Sequence, residues 1–396
     1  MHQKGKLICM KKNFAITAAC LIVCIALSSN AFKSTQVLKT APSPVTSSNP
    51  TIQVAILLDV SNSMDGLIEQ AKAQLWNMVS TMGKATCDNK TPKIEIALYE
   101  YGRTTNNAKD GYVKQLSGFT SDLNQLSQTL FNLKTDGGDE YCGHVMYSSL
   151  TTLKWDTAPT NYKVIFIAGN EDFLQGNTTW SKACTEATKK GVIVNTIYCG
   201  DKMQGIREHW NLAGECGNGS FTNINQDATM EDIVTPYDKD LFSLNDQLNK
   251  TYIAYGSAGR SGLLKQEAVD QMNYSMNKSV AAKRVAVKGK KSLYKNNNWD
   301  LVDAFEQDSL FAASVDMKTL PDSLQKKTRT ELKAVIKEKN NQRSTIQRQI
   351  ESLSTKREVY IVKERAKLTK DKNPTLESAI EQIIRKQASR FNMQIK

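Results

Sequence analysis

A short polar string directly behind an apolar run is the feature of this sequence most able to do chemistry. Asp59, Ser61 and Ser63 alternate after the run 52–58, and a segment of helical spacing follows them. Alternate residues of a loop can point to one side, so a carboxylate and two hydroxyls would face one ion and leave room for water. Ligand sets made only of oxygen suit Mg²⁺ best, with Mn²⁺ or Ca²⁺ as alternatives, and disfavour zinc and copper. The string therefore predicts a divalent cation site.

The same string has a simpler interpretation. Asp59 and Ser61 could cap the helix that begins near Met64, because Asp and Ser side chains accept hydrogen bonds from backbone amides at helix starts. We favour the cation site because the string stands between a buried strand and an amphipathic helix. Chance polar strings lack that context.

Apolar periodicity predicts the elements that position the string. From residue 51 to about 227, short apolar runs alternate with segments of helical spacing. This pattern indicates a doubly wound, mostly parallel α/β sheet with helices on both faces. The predicted strands are 52–58, 94–99, 112–119, 164–168, 192–198 and 220–224. The predicted helices are 65–84, one after Thr120, 141–153, 180–189 and 203–212.

Three polar loops are expected at one edge of this sheet. They span residues 59–63, 136–140 and 169–172, and each is rich in oxygen-bearing side chains. In doubly wound sheets the ligand site lies off the carboxyl ends of the strands, so the loops should converge on one site. Asp139 and Glu140 have an alternative interpretation as acids that favour the first turn of a helix.

Residues 51–227 resemble the von Willebrand factor A family, whose metal-ion-dependent adhesion site has the D-x-S-x-S string at this place. In that family a Thr of a second loop and an Asp after a later strand complete the site. Here Gly137-Gly138-Asp139 stands where Gly-Gly-Thr is usual, so the resemblance implies that Asp139 replaces the Thr. Ala168-Gly169-Asn170-Glu171 stands where Thr-Asp-Gly is usual, so Asn170 or Glu171 would replace the Asp.

The wider pattern is similar to a subfamily of exported bacterial proteins that carry this domain. The similarity lies in the segments 97–102, 137–143, 165–171, 194–200 and 299–303. It implies a fold and a site but names no partner. The three polar loops and the resemblance together give the predicted ligand set Asp59, Ser61, Ser63, Asp139, Glu140, Asn170 and Glu171.

The expected function is metal-dependent protein binding in the bacterial cell envelope. A partner offering an acidic side chain would complete the coordination of the cation. No catalytic residue is predicted, because the sequence has no GxSxG elbow, Walker loop or GxGxxG and no clear base. Cys142 and His144 are two residues apart on a predicted helix and would not face each other. The alternatives are a metal-free scaffold, a metal-assisted hydrolase and a module that binds through the surface charge of its tail.

The first residues predict export. Met10-Lys11-Lys12 precedes the uncharged run 14–27, and Ser29-Asn30-Ala31 offers small residues for cleavage after Ala31. We therefore expect residues 1–31 to be a signal peptide and residues 32–50, rich in Ser, Thr and Pro, to be a flexible linker. The expected location is the periplasm or cell envelope. An uncleaved leader that anchors the chain near a membrane is the alternative.

Export changes the interpretation of the eight cysteines. Three lie in the leader, and five remain: Cys87, Cys142, Cys184, Cys199 and Cys216. Some of these should pair in an oxidising compartment, although an odd number leaves at least one over. Cys142 and Cys199 are both expected at the carboxyl edge of the sheet, so they are the first choice. Cys184 with Cys199 is the rival pair, and a set of buried free thiols is a further alternative.

Residues 228–396 predict a helical extension. Helical spacing covers 237–255, 267–285 and 301–311, then a long charged helix from Pro321 that is a partial coiled coil, and a last helix after Pro374. Residues 251–396 carry a net charge of +13 in a chain of +12. No basic run is interleaved with aromatic residues, so nucleic acid is not an expected partner. Packing within the chain is favoured over oligomerisation through the long helix.

Overall fold

The computed structural model describes residues 50–225, 232–368 and 376–395. The predicted leader (1–31), the predicted linker up to residue 49, Pro374 and the predicted domain boundary at 227/228 lie outside these residues. The boundaries therefore stay predictions. Across the described ranges, no helix is both long and apolar enough to cross a bilayer.

Six strands form the main sheet in the order β4-β3-β1-β5-β6-β7. Only β4 runs antiparallel, beside β3, and the other neighbours are parallel. The strands are β1 (Thr51–Asp59), β2 (Ala85–Thr86), β3 (Lys93–Tyr101), β4 (Lys114–Thr120), β5 (Tyr162–Gly169), β6 (Ile193–Cys199), β7 (Phe221–Ile224) and β8 (Gln394–Ile395). The small pair β2 and β8 is antiparallel. The predicted α/β class is confirmed.

β1 is central because side chains on both of its faces are apolar. Val54 and Leu58 pack into one core, whereas Ala55 and Leu57 pack into the other. Successive side chains of a strand point to opposite faces, so a strand covered on both sides must be apolar throughout. The carboxyl end of β1 consequently lies in the middle of the sheet edge.

Helices cover both faces of the sheet. The helices are α1 (Asp65–Met82), α2 (Leu123–Phe131), α3 (Cys142–Thr152), α4 (Trp180–Lys190), α5 (Lys202–Arg207), α6 (Trp210–Ala213), α7 (Asp238–Asn249), α8 (Gly259–Met276), α9 (Lys278–Lys288), α10 (Leu301–Gln307), α11 (Phe311–Ser314), α12 (Asp322–Gln325), α13 (Arg329–Leu368) and α14 (Leu376–Ala388). One core includes residues of α1, α2 and α14, and the other includes residues of α3, α4 and α6.

Several predicted helices are shorter or divided. The predicted helix 203–212 is split at His209, whose backbone is left-handed (φ +63°). The predicted helix 267–285 is split at Asn277, which is extended and caps α9 by accepting a hydrogen bond from the Val280 amide. The long helix begins at Arg329, because Pro321 instead precedes the short helix α12. These breaks depend on local capping that the apolar period does not reveal.

The last helix, α14, packs directly on the sheet. Gln387 is fully buried there, accepts a hydrogen bond from the Tyr162 hydroxyl (2.9 Å) and donates one to the Asn195 side chain (2.7 Å). Ile380 and Ile384 pack into the core that contains Val54 and Leu58 of β1. The helical extension therefore packs with the α/β part in one compact unit.

The motif 299–303 holds the long helix in place. Asp300 is fully buried, caps α10 through the Asp303 amide, and pairs with Arg343 of α13 at 2.7 Å. Arg343 also pairs with Asp303 at 2.6 Å and lies over the Tyr252 ring. Buried ion pairs need such a complete set of partners. Through these ion pairs, α13 packs against α10 of the same chain.

The disulfide joins Cys184 to Cys216, so both predicted pairings with Cys199 are wrong, and so is the alternative of free thiols throughout. Cys142 and Cys199 are buried free thiols that belong to different cores, on opposite faces of the sheet, which separates them. Cys216 lies in a short turn that packs against α4, with a Cα–Cα distance of 5.3 Å to Cys184.

Replacing Cys184 and Cys216 together by serine should lower the free energy of unfolding by about 2–4 kcal/mol, because the cross-link restricts the unfolded chain. Urea denaturation of the oxidised protein measures this change. The matched control is Cys87→Ser, which removes a half-buried free thiol and should change little. Peptide mapping without reduction that found Cys142 linked to Cys199 would contradict the assignment.

Candidate cation site

Asp59 ends β1 at the centre of the carboxyl edge and is fully buried. Its Oδ1 accepts a hydrogen bond from the Ser61 amide at 2.8 Å. Its Oδ2 is buried and accepts no hydrogen bond of normal geometry from the described residues. A buried carboxylate oxygen without a donor is costly, so this atom calls for a positively charged ligand.

The two serines lie beside Asp59 in the turn that leads into α1. The Ser61 and Ser63 hydroxyl oxygens are 3.3 Å apart. Ser63 also exchanges hydrogen bonds with the side chain of Asn170, at 3.2 and 3.3 Å, across the gap between the first and third loops. Neither serine side chain caps the helix, which disfavours the capping interpretation. The structure thus brings the predicted residues Asp59, Ser61, Ser63 and Asn170 together.

The second loop turns Glu140 inward and Asp139 outward. Glu140 is only 7% exposed, whereas Asp139 is exposed and accepts a hydrogen bond from the Tyr141 hydroxyl at 3.1 Å. Asp59 Oδ1 and Glu140 Cγ are each 2.9 Å from the position that a Cβ would take on Gly102. The two carboxylate side chains therefore lie side by side. The structure places Asp139, which the resemblance put in the position of the Thr, outside this group.

The third loop brings Glu171 near the group but leaves it exposed. The indole nitrogen of Trp210 donates to the Glu171 carbonyl at 2.7 Å, and His209 Nδ1 is 3.0 Å from Asp172 Oδ1. The Phe173 amide donates to the Glu208 carbonyl at 2.9 Å. The segment 208–210 thus holds the loop that carries Asn170 and Glu171.

Two glycines allow the loops to approach Asp59. A Cβ on Gly169 would lie 2.9 Å from Asp59 Oδ2 and 2.5 Å from the Tyr101 hydroxyl. Gly102 has a positive φ of 81°, which side chains rarely adopt. Neither glycine, nor Tyr101 and Trp210, was assigned a role from the sequence. The available signal was the position of the two glycines, since Gly169 directly follows the predicted strand 164–168 and Gly102 lies three residues after the predicted strand 94–99.

The electrostatics of the site oppose two ionised carboxylates. Burial raises the pKa of Asp59 from 3.8 to about 7; hydrogen bonds from Ser61 oppose the shift, and the charge of Glu171 adds to it. Burial, together with the neighbouring Asp59 carboxylate, raises the pKa of Glu140 from 4.5 to about 8. A divalent cation between them would remove this penalty.

The donor set fits a hard divalent cation. Two carboxylates, two hydroxyls and one amide oxygen converge, and all are oxygen ligands of the kind that Mg²⁺, Mn²⁺ and Ca²⁺ prefer. Within the part of the chain that the structure describes, no three His, Cys, Asp or Glu side chains form a metal-binding group by themselves. The candidate site therefore depends on the hydroxyls as well as on the carboxylates.

The strand order places antiparallel β4 at one end of the sheet and the site at the carboxyl edge of β1, where doubly wound α/β sheets bind their ligands. No family model matches the chain, and no curated protein matches it. Several solved structures are similar to part of this chain.

One similar structure is proximal thread matrix protein 1 from the mussel byssus, with a zinc-occupied MIDAS motif (12% identity, TM-score 0.35, 44% of this chain and 42% of that chain). Another is a von Willebrand factor type A protein from Catenulispora acidiphila (14%, TM-score 0.33, 45% and 39%). A third is an aerotolerance-related membrane protein from Bacteroides fragilis (15%, TM-score 0.32, 44% and 92%). The region matched by this chain spans less than half the length of the first two of these proteins.

Proposed function

We propose that this protein binds a protein partner through a divalent cation held at the carboxyl edge of β1. The observation that carries the proposal is Asp59, a fully buried carboxylate whose Oδ2 accepts no hydrogen bond of normal geometry from the described residues and whose neighbours are hydroxyls and an amide. Asp59, Ser61 and Ser63 would hold the ion, with Glu140 and Asn170 beside them. Mg²⁺ is the first candidate, and Mn²⁺ and Ca²⁺ are the alternatives.

The partner would offer an acidic side chain to the cation. An ion at the edge of a sheet keeps a coordination place toward solvent, and a carboxylate is a strong ligand for a hard cation. We propose binding rather than catalysis as the use of this place. The proposed location, the bacterial cell envelope, depends on the leader predicted over residues 1–31.

Titration calorimetry with Mg²⁺ and Mn²⁺ tests the proposal. The wild type should bind one ion, and Asp59→Ala should lose all detectable binding because the central carboxylate is gone. The matched control is Asp139→Ala, which removes an acid from the same edge but outside the group and should keep wild-type affinity. Equal heats for the wild type and Asp59→Ala would contradict the cation site and favour a metal-free scaffold.

A further inference from the structure

Glu140 is the feature of the site that the family pattern does not explain. The implied pattern puts a single residue, Asp139, at the place of the usual Thr, yet the side chain that enters the site is the next one. Glu140 is nine-tenths buried and lies against Asp59 and Ser61. It is therefore a second carboxylate that the chain itself supplies to the site.

The charge of this pair limits what else can bind. Asp59 and Glu140, both ionised, neutralise a divalent cation completely. A carboxylate arriving from a partner would then add an uncompensated negative charge beside two buried ones, which is unfavourable where water is scarce. The partner's carboxylate and Glu140 should consequently compete for the same place on the ion.

The position of Glu140 in the chain permits its side chain to give way to a carboxylate of the partner. Glu140 lies in the coil between α2 and α3, and this coil is tied to the site at two points before it. The Asp136 amide donates to the Val60 carbonyl at 2.9 Å, and the Thr104 amide donates to the Gly137 carbonyl at 2.8 Å. With the coil held there, Glu140 can leave through its own side-chain torsions, without unwinding a helix.

We infer that Glu140 is a resident carboxylate that occupies the partner's coordination place and must be displaced before an acidic partner binds. This inference rests on the proposed function. It makes Glu140 a residue that sets specificity: it strengthens cation binding and weakens carboxylate binding. A partner with one weakly placed acid would be rejected, whereas one that anchors its acid through neighbouring contacts would displace Glu140.

Mn²⁺ and acetate are the probes for the test. Glu140→Gln keeps the size of the side chain and removes its charge, so Mn²⁺ affinity should fall about tenfold. Water-proton relaxation should rise, because water replaces the lost carboxylate on the ion. Acetate should then lower the relaxation of Glu140→Gln at concentrations that leave the wild type unchanged.

The matched control is Asp139→Asn, which removes the same charge one residue away but from an exposed side chain, and it should behave as wild type. If Mn²⁺ binds the wild type and Glu140→Gln with equal affinity, relaxation and acetate response, this inference alone is overturned. If the wild type binds no Mn²⁺, the proposed function fails as well. Thermal melting of each variant shows whether the fold is retained.

Discussion

Asp270→Asn is expected to lower the free energy of unfolding by about 3–5 kcal/mol, because it leaves two buried cations without their counter-charge. Asp270 accepts hydrogen bonds from Arg284 Nε at 2.5 Å and from Lys288 Nζ at 2.7 Å. Both basic side chains are at most 1% exposed. Arg284 also lies over the Trp76 ring of α1, so the network joins the helical extension to the α/β part.

The direction of the pKa shifts supports this expectation. Burial alone would raise the pKa of Asp270, but the charges of Arg284 and Lys288 outweigh it and hold the pKa below its usual value. Burial lowers the pKa of Lys288 to about 8, although the charge of Asp270 opposes the shift. Without Asp270, Lys288 would lose that support and should release its proton in the folded state.

Urea denaturation of Asp270→Asn measures the loss. Glu267→Gln is the matched control, since Glu267 lies on the same helix, α8, with its side chain exposed. The control should stay within about 0.5 kcal/mol of the wild type, as exposed substitutions usually do. Similar losses for the two variants would show that the network contributes little.

The second large effect is a dependence of stability on pH that a cation reverses. Folding raises the pKa of Asp59 from 3.8 to about 7, so the folded protein keeps a proton that the unfolded chain releases. Without cation, the free energy of unfolding should therefore fall as pH rises between these values. Asp59 alone would contribute up to about 1.4 kcal/mol per pH unit. The raised pKa of Glu140 extends the same trend to about pH 8.

Thermal unfolding from pH 5 to 8, with chelator and with Mg²⁺, measures this trend. Chelated wild type should melt progressively lower as pH rises, whereas Mg²⁺ should restore its stability because the ion binds the ionised carboxylates. Asp59→Asn carries no charge to bury and should show a flatter curve that Mg²⁺ does not change. A wild-type curve that matches that of Asp59→Asn in both conditions would refute the raised pKa of Asp59.

These effects connect the site to the whole chain. Asp59 ends a strand whose two faces are covered by helices from distant parts of the sequence, among them α14. That coverage excludes water from the base of the site and makes an unpartnered carboxylate oxygen costly. Cation binding should consequently raise the free energy of unfolding of the full chain, in addition to changing the contacts at the site.

Local patterns in the sequence determined the α/β order and the place of Asp59, Ser61 and Ser63. The alternation of apolar runs reflects the twofold period of strands and the 3.6-residue period of helices, which depend only on backbone geometry. A buried central strand must be apolar on both faces, so β1 and the loop behind it were identifiable. The carboxyl edge of the sheet followed from the parallel order.

The tertiary structure alone decided which side chains of the loops enter the site and which cysteines meet. Asp139 and Glu140 are adjacent acids, and only the contact of their coil with Gly102 and Val60 turns Glu140 inward. Cys142 and Cys199 reach the same edge, but Cys142 begins α3 on one face of the sheet, whereas the side chain of Cys199 on β6 points to the other face. Such outcomes depend on contacts between residues far apart in sequence, and a local period carries no information about them.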